Sequence, residues 1–145
     1  MLTSYDAMRI DVIQRAVEMR DAFILIAELS GAIAALAIVH LHLRSDMGWE
    51  PGGDTEAFMS NENAYLENLE VRDGLRSQGI GRSLLHAVEH MTGQLGKTTL
   101  WLHTGEWNVR AHQFYAREGW QFVTTVYPAW RSGKPTRIYR KTLLY

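Results

Sequence analysis

The 145-residue chain contains no cysteine, which excludes a disulfide framework, a thiolate metal site and a cysteine nucleophile. It also lacks a long apolar run. The longest, Ala32–Val39, falls far short of the ~20 residues that span a bilayer. The opening MLTSYDAMRID has neither a basic n-region nor an apolar core, so it does not read as a signal peptide. No internal repeat, low-complexity tract or G-x-S-x-G nucleophile motif is present. What remains is ordinary globular material. Contents of 46% hydrophobic and 21% charged residues suit one compact domain over residues 1–145 and exclude wholesale disorder. The default expectation is a soluble, cytoplasmic protein with no membrane partner.

Basic residues are scarce in the first half. Residues 1–71 hold 4 of them against 12 acidic ones, and residues 72–145 hold 11 against 4. A net charge of −1 hides this split. Chance clustering of surface charge would produce it, and so would two ligands of opposite sign, an anion on the C-terminal half and a cation on the other. The longest irregular stretch, Arg44–Ala64, carries Asp46, Glu50, Asp54, Glu56 and Glu62 against Arg44 alone. It reads either as a solvated acidic loop or as a mouth that attracts a cationic substrate.

Hydrophobic spacing predicts a helix over Asp6–Arg20, part of which (Met8–Ile13) also fits a short strand. Strands follow over Phe23–Leu29 and Ala32–Leu43, joined by a Ser30-Gly31 hairpin turn. Next come a strand over Tyr65–Val71, a helix closed by Gly93 and Gly96, and a strand over Thr98–Thr104. This β-α-β crossover makes the two strands parallel. A second helix, Asn108–Glu118, has Asn108 as its N-cap and Gly119 beyond its end. Strands over Gln121–Tyr127 and Thr136–Leu143, joined by Pro128–Pro135, read as a hairpin. The class is α/β (α+β): a mixed sheet with one central parallel pair.

The organising stretch is Leu66–Leu85. Leu66, Leu69 and Val71 alternate with polar residues, but the spacing slips by one between 66 and 69, as a β-bulge would make it. Beyond the turn, Leu84, Leu85, Val88, Met91 and Leu95 form a helical stripe. Between them lies Arg76-Ser77-Gln78-Gly79-Ile80-Gly81. Two glycines before a helix start leave backbone N–H groups free to face an anion, or they make a plain strand-to-helix turn.

Two histidine patterns compete for attention. His86-Ala87-Val88-Glu89-His90 spells H-x-x-E-H and sets two imidazoles on one helix face, but it lacks a third ligand. We therefore expect no metal. His40 and His42 alternate on one strand face and read as ordinary polar-face residues.

Arg76–Ser83 together with Asn108–Trp120 resembles the GNAT superfamily of acyl-CoA-dependent N-acyltransferases, from about residue 22 to the end. That family's pyrophosphate motif, Q/R-x-x-G-x-G/A, is met by Arg76, Gly79 and Gly81, after a strand ending Leu69-Glu70-Val71. Its second signature is met by Asn108, Ala111, Phe114-Tyr115 and Gly119-Trp120, with Trp120 where the family more often has Phe. The resemblance implies a mostly antiparallel mixed sheet whose central parallel strands splay apart, flanked by helices; the chain departs from the family in having only about twenty residues before the β-hairpin, so the N-terminal part is expected to be shortened, with a sheet edge open to homodimerisation.

It also implies acetyl-CoA as cosubstrate. The pyrophosphate would lie on Arg76, Gln78, Gly79, Ile80, Gly81, Arg82 and Ser83, and the pantetheine arm on backbone at Leu69 and Val71, with Asn108 and Tyr115 nearby. Tyr115 would be the general acid, with a core aromatic as its bland reading. Glu67 would deprotonate or orient the amine, with Glu70, a relayed water, His103 and His112 as competitors. The expected function is an N-acetyltransferase acting on a primary amine of a cationic acceptor by direct transfer in a ternary complex. The alternative is a non-catalytic acyl-CoA-binding or regulatory module. Nucleic acid is not expected as a partner, since the basic residues are spread through a half that the coenzyme already explains.

Overall fold

The computed structural model describes residues 17–42, 61–76, 78–127 and 132–143. The expected helix before Val17, most of the acidic Arg44–Ala64 stretch and the first half of the Pro128–Pro135 loop lie outside them, as does any shortening of the N-terminal part. Six strands form one sheet: β1 (Ala22–Leu29), β2 (Ala32–His40), β3 (Asn63–Val71), β4 (Thr99–Gly105), β5 (Gln121–Val126) and β6 (Thr136–Thr142). Their order is β1-β2-β3-β4-β6-β5, with β3–β4 parallel and every other pair antiparallel. Helix α1 (Ile80–Gln94) makes the crossover from β3 to β4, and α2 (Val109–Arg117) follows β4. The expected mixed fold is the one observed.

Both helices lie on one face of the sheet. Ala35, Ala37 and Val39 of β2, Ala64 and Leu66 of β3 and Leu100 and Leu102 of β4 meet Leu84, Leu85, Val88 and Tyr115 there in a single cluster. The opposite face carries Tyr65, Trp101 and Ile138. The β-period of two sorts neighbours to opposite faces, which is why Leu66 and Leu100 meet the helices and Tyr65 and Trp101 do not.

Three details depart from the sequence expectation. The β2 strand stops at His40 rather than Leu43. The α1 stripe runs through Leu84, Leu85, Val88, Glu89 and Thr92, leaving Met91 and Leu95 exposed. Buried Glu89 replaces an apolar residue because Lys141 from β6 reaches its Oε1 at 2.6 Å, so the charge is paired where the helix crosses the sheet. His40, finally, is fully buried rather than on a polar face.

Leu85 is 0% exposed at the centre of the helix–sheet cluster. Leu85→Ala is therefore expected to cost about 2–5 kcal/mol of stability, by lost burial and the cavity left behind. Denaturant unfolding with an unchanged m-value checks this.

Candidate functional site

The parallel pair β3–β4 is joined only over Asn63–Tyr65 and Thr99–Trp101. Beyond that point the strands diverge, because each follows a different antiparallel partner. From Leu66 onwards β3 stays with β2, while β4 stays with β6 to Gly105. Beyond Tyr65 and Trp101 no ladder pairing joins the two facing edges among the described residues. Arg72 N–H donates to the Ala34 carbonyl at 2.8 Å. By antiparallel alternation, residues 68, 70 and 72 face β2, and the N–H and C=O groups of Leu69 and Val71 face the gap. Leu143 N–H donates to Thr98 O at 2.8 Å and Glu106 N–H to Pro135 O at 3.1 Å. The backbone groups of His103 and Gly105 therefore face the gap from the other side.

The gap opens into a cleft of about 1440 Å³ lined by the ends of β2 and β3, the start of α1 and one face of α2. At its floor α1 begins on Gly79, whose φ of 81° places it in the left-handed region that glycine enters at least cost. The first intrahelical bond runs from Ser83 N–H to Gly79 O at 3.0 Å. The N–H groups of Ile80, Gly81 and Arg82 thus have no helical acceptor. No side chain caps this end and no acidic residue stands in its first turn. Gly81 serves a different need: a Cβ there would sit 3.3 Å from Val71 Cγ2, so its absence lets α1 start tight against β3.

Cations ring this helix end, each with an exchangeable partner. Arg76 pairs with Asp73 at 3.4 Å and Arg82 with Glu118 at 3.3 Å, both arginines being more than half exposed. Pairs this exposed are worth about 0–1 kcal/mol, so an anion with more charge displaces them easily. Glu118 also receives His86 Nε2 at 2.8 Å. Two residues of the H-x-x-E-H run are therefore engaged in ion pairs, His86 with Glu118 and Glu89 with Lys141. Among the described residues no three His, Asp or Glu side chains are grouped to hold a metal. No helix of the described residues is long and apolar enough to cross a membrane.

The wall opposite is α2, capped as expected: the Asn108 side chain accepts from Ala111 N–H at 3.1 Å. His112 anchors the helix underneath. Its Nε2–H donates to the Glu106 carbonyl at 3.1 Å, which leaves Nδ1 to accept from Tyr139 O–H at 3.0 Å. Both nitrogens being engaged, His112 is an anchor and not a base. Tyr115 lines the cleft, held by the rings of Phe114, Trp120 and Tyr139 at 5.1, 5.4 and 6.2 Å. Burial pushes its hydroxyl pKa well above the ordinary tyrosine value.

On the other face, Glu67 is the extra residue of a β-bulge. The register passes from Ile38↔Asn68 to Val39↔Leu66, so Glu67 is the extra residue between the two pairs, where the spacing of Leu66 and Leu69 predicts the slip. Its carboxylate lies 2.6 Å from His40 Nε2 and its side chain is 14% exposed. Beside it, Tyr65 O–H meets His103 Nδ1 at 2.9 Å. Glu70, the competing acid, is exposed at the cleft rim.

Of the residues singled out from the sequence, Leu69, Val71, Arg76, Gly79, Gly81, Arg82, Asn108 and Tyr115 share the cleft. Gln78, Ile80 and Ser83 instead line a smaller hollow of about 370 Å³ on the β1 side of the helix start. Glu67 lies outside the lining. The pairings of His40, read from the sequence as a polar-face residue, and of Glu118 join residues 27 and 32 positions apart and are invisible to local spacing.

The arrangement suits a long, polyanionic ligand that pairs with strand edges. The sequence profile of the family described as "Acetyltransferase (GNAT) family" matches residues 3–120. L-ornithine N5-acetyltransferase NATA1 of Arabidopsis thaliana is 32% identical over 75 residues, which is 52% of this chain and 31% of that protein. The chain thus spans about a third of that curated relative. A GNAT-family protein from Desulfovibrio desulfuricans superposes with a TM-score of 0.75 at 17% identity, over 99% of this chain and 85% of that one. PaiA N-acetyltransferase from Thermoplasma acidophilum, solved with coenzyme A, gives 0.68 at 16% identity over 92% and 69%. The glycine turn, the Asn108-capped helix and a profile spanning both make this chain a member of the GNAT acetyltransferase family.

Proposed function

We propose that the protein is an N-acetyltransferase that moves acetyl from acetyl-CoA to a primary amine of a cationic acceptor, by direct transfer in a ternary complex. The observation that carries this reading is the β3–β4 splay opening directly onto an uncapped helix start. Phosphate needs backbone N–H groups at a helix dipole, and an amide-bearing arm needs a free strand edge; both lie in one cleft. The residues present therefore fit the coenzyme, whose thioester supplies the activated acetyl group when bound.

Each residue then has one task. The N–H groups of Ile80, Gly81 and Arg82 take the pyrophosphate, with Arg76 and Arg82 leaving their carboxylates for it. Leu69 and Val71 pair with the arm, and an N–H of this edge donates to the acyl oxygen as negative charge develops. An alkylamine with a pKa of about 10.4 must give up a proton before its lone pair attacks; Glu67 accepts it, directly or through water. Tyr115 donates to the sulfur as the C–S bond breaks. The products are the acetamide and the free thiol. No cysteine is available for a covalent acyl-enzyme.

A cationic acceptor is supported by the acidic first half of the sequence and by the name of the Arabidopsis relative, whose substrate is the diamine amino acid ornithine. The test is thiol release from acetyl-CoA across ornithine, polyamines, aminoglycosides and lysine- or N-terminal-amine peptides. At least one cationic amine is expected to turn over, and Glu67→Gln is expected to lower kcat/KM for it by about 10²-fold with coenzyme affinity unchanged. Coenzyme binding without turnover anywhere on the panel would instead identify a non-catalytic acyl-CoA module.

A further inference from the structure

We infer that His40 is a positioning residue for Glu67, holding the carboxylate on the bulge in the orientation that meets the amine. The inference rests on the acetyltransferase reading above and adds to it the group that sets the geometry of the proton acceptor.

The extra residue in β3 sets Glu67 at the bulge, outside the residue-for-residue β2–β3 register, so no residue opposite it in the ladder fixes its side-chain direction. A glutamate side chain has several rotamers open to it, and a proton acceptor that wanders by 1 Å loses much of its rate. On the same face the antiparallel register sets His40 opposite Tyr65, two residues before Glu67. The ring of His40 is 0% exposed, so packing from all sides fixes it. Its Nε2 meets Glu67 Oε1 at 2.6 Å, within hydrogen-bond distance. An ionised carboxylate only accepts, so Nε2 carries the hydrogen.

Burying a polar ring at the end of a central strand is costly unless the ring is used. An apolar residue would satisfy the core equally well, as Ile38 does two positions earlier on the same face. The partner on offer is partly open: the Glu67 side chain is 14% exposed while His40 is sealed. This asymmetry is that of a support behind a working group. The neighbouring Tyr65–His103 pair at 2.9 Å closes the same face on the β4 side.

The test is a double-mutant cycle read on the amine substrate. His40→Leu keeps an apolar filling and removes the donor, and His40→Asn is the counterpart should the leucine variant not fold, since its amide falls short of Glu67. Either is expected to lower kcat/KM for the amine about tenfold with coenzyme affinity by calorimetry unchanged. His40→Gln, whose amide N–H reaches the carboxylate, is expected to recover most of that loss. In a Glu67→Gln background, removal of His40 is expected to cost nothing more. An equal loss in both backgrounds would overturn the inference, because His40 would then act on stability alone. A Glu67→Gln variant with wild-type turnover is a different outcome: it removes Glu67 as proton acceptor and the role of His40 with it.

Discussion

Gly79→Glu should abolish coenzyme binding. Gly79 sits at φ 81° directly before the uncapped start of α1, with open space around its missing Cβ. A glutamate there would hold a carboxylate against the site where N–H groups await a pyrophosphate. Repulsion of two unit charges about 4 Å apart is ~4 kcal/mol near a protein surface, and left-handed backbone adds about 1–2 kcal/mol for any residue with a Cβ. A loss of at least ~10³-fold in affinity follows, at about 1.4 kcal/mol per tenfold. Gly79→Ala isolates the backbone cost, since nothing lies within 4 Å to clash. In calorimetric titrations with coenzyme A, the glutamate variant should bind far more weakly than the alanine one. If the two bind alike, charge at this turn is irrelevant and the phosphate site lies elsewhere.

Tyr115→Phe is expected to lower kcat by about 10²-fold or more if its hydroxyl serves the departing sulfur. The phenyl ring keeps the contacts with Phe114, Trp120 and Tyr139, so fold and coenzyme affinity are retained. Burial holds the hydroxyl protonated well beyond its ordinary pKa. The deficit should therefore be the same at every pH from about 6 to 9, below the ordinary tyrosine value of ~10. The sign for stability follows from the same shift. Below pH ~10 both the folded and unfolded tyrosines are neutral and the group contributes no pH dependence; above it the unfolded tyrosine ionises first, so stability falls as pH rises. Single-turnover rates across that range check the first expectation. An unchanged rate would leave Tyr115 as a core aromatic only.

The two readings draw on different parts of the chain. The glycine turn was legible because a short apolar strand, two glycines and a helical stripe occupy consecutive residues. The bulge was legible too, since one residue of slip between Leu66 and Leu69 has a single geometric meaning in a strand, and the register places it at Glu67. The stripe of α1 was legible only in part. Apolar spacing favours Met91 and Leu95, yet Glu89 and Thr92 are buried instead. Lys141, 52 residues after Glu89, pairs with that charge, and Thr92 O–H donates to the Val88 carbonyl one turn earlier. Local periodicity carries no information about a pairing made across the sheet.

By itself, then, the sequence determined the order of elements from β1 to β6, the positive helix start with its glycines, and the Asn108 cap, all consequences of contacts within a few residues. Tertiary structure alone decided the rest. The splay arises because β3 and β4 each keep a different antiparallel neighbour, and no segment of either strand encodes the separation. The burial of His40 against Glu67 arises because β2 and β3 pair across a 27-residue interval. Partners set by register, not by spacing, placed a histidine that reads as surface in the sequence inside the sheet, against the candidate proton acceptor.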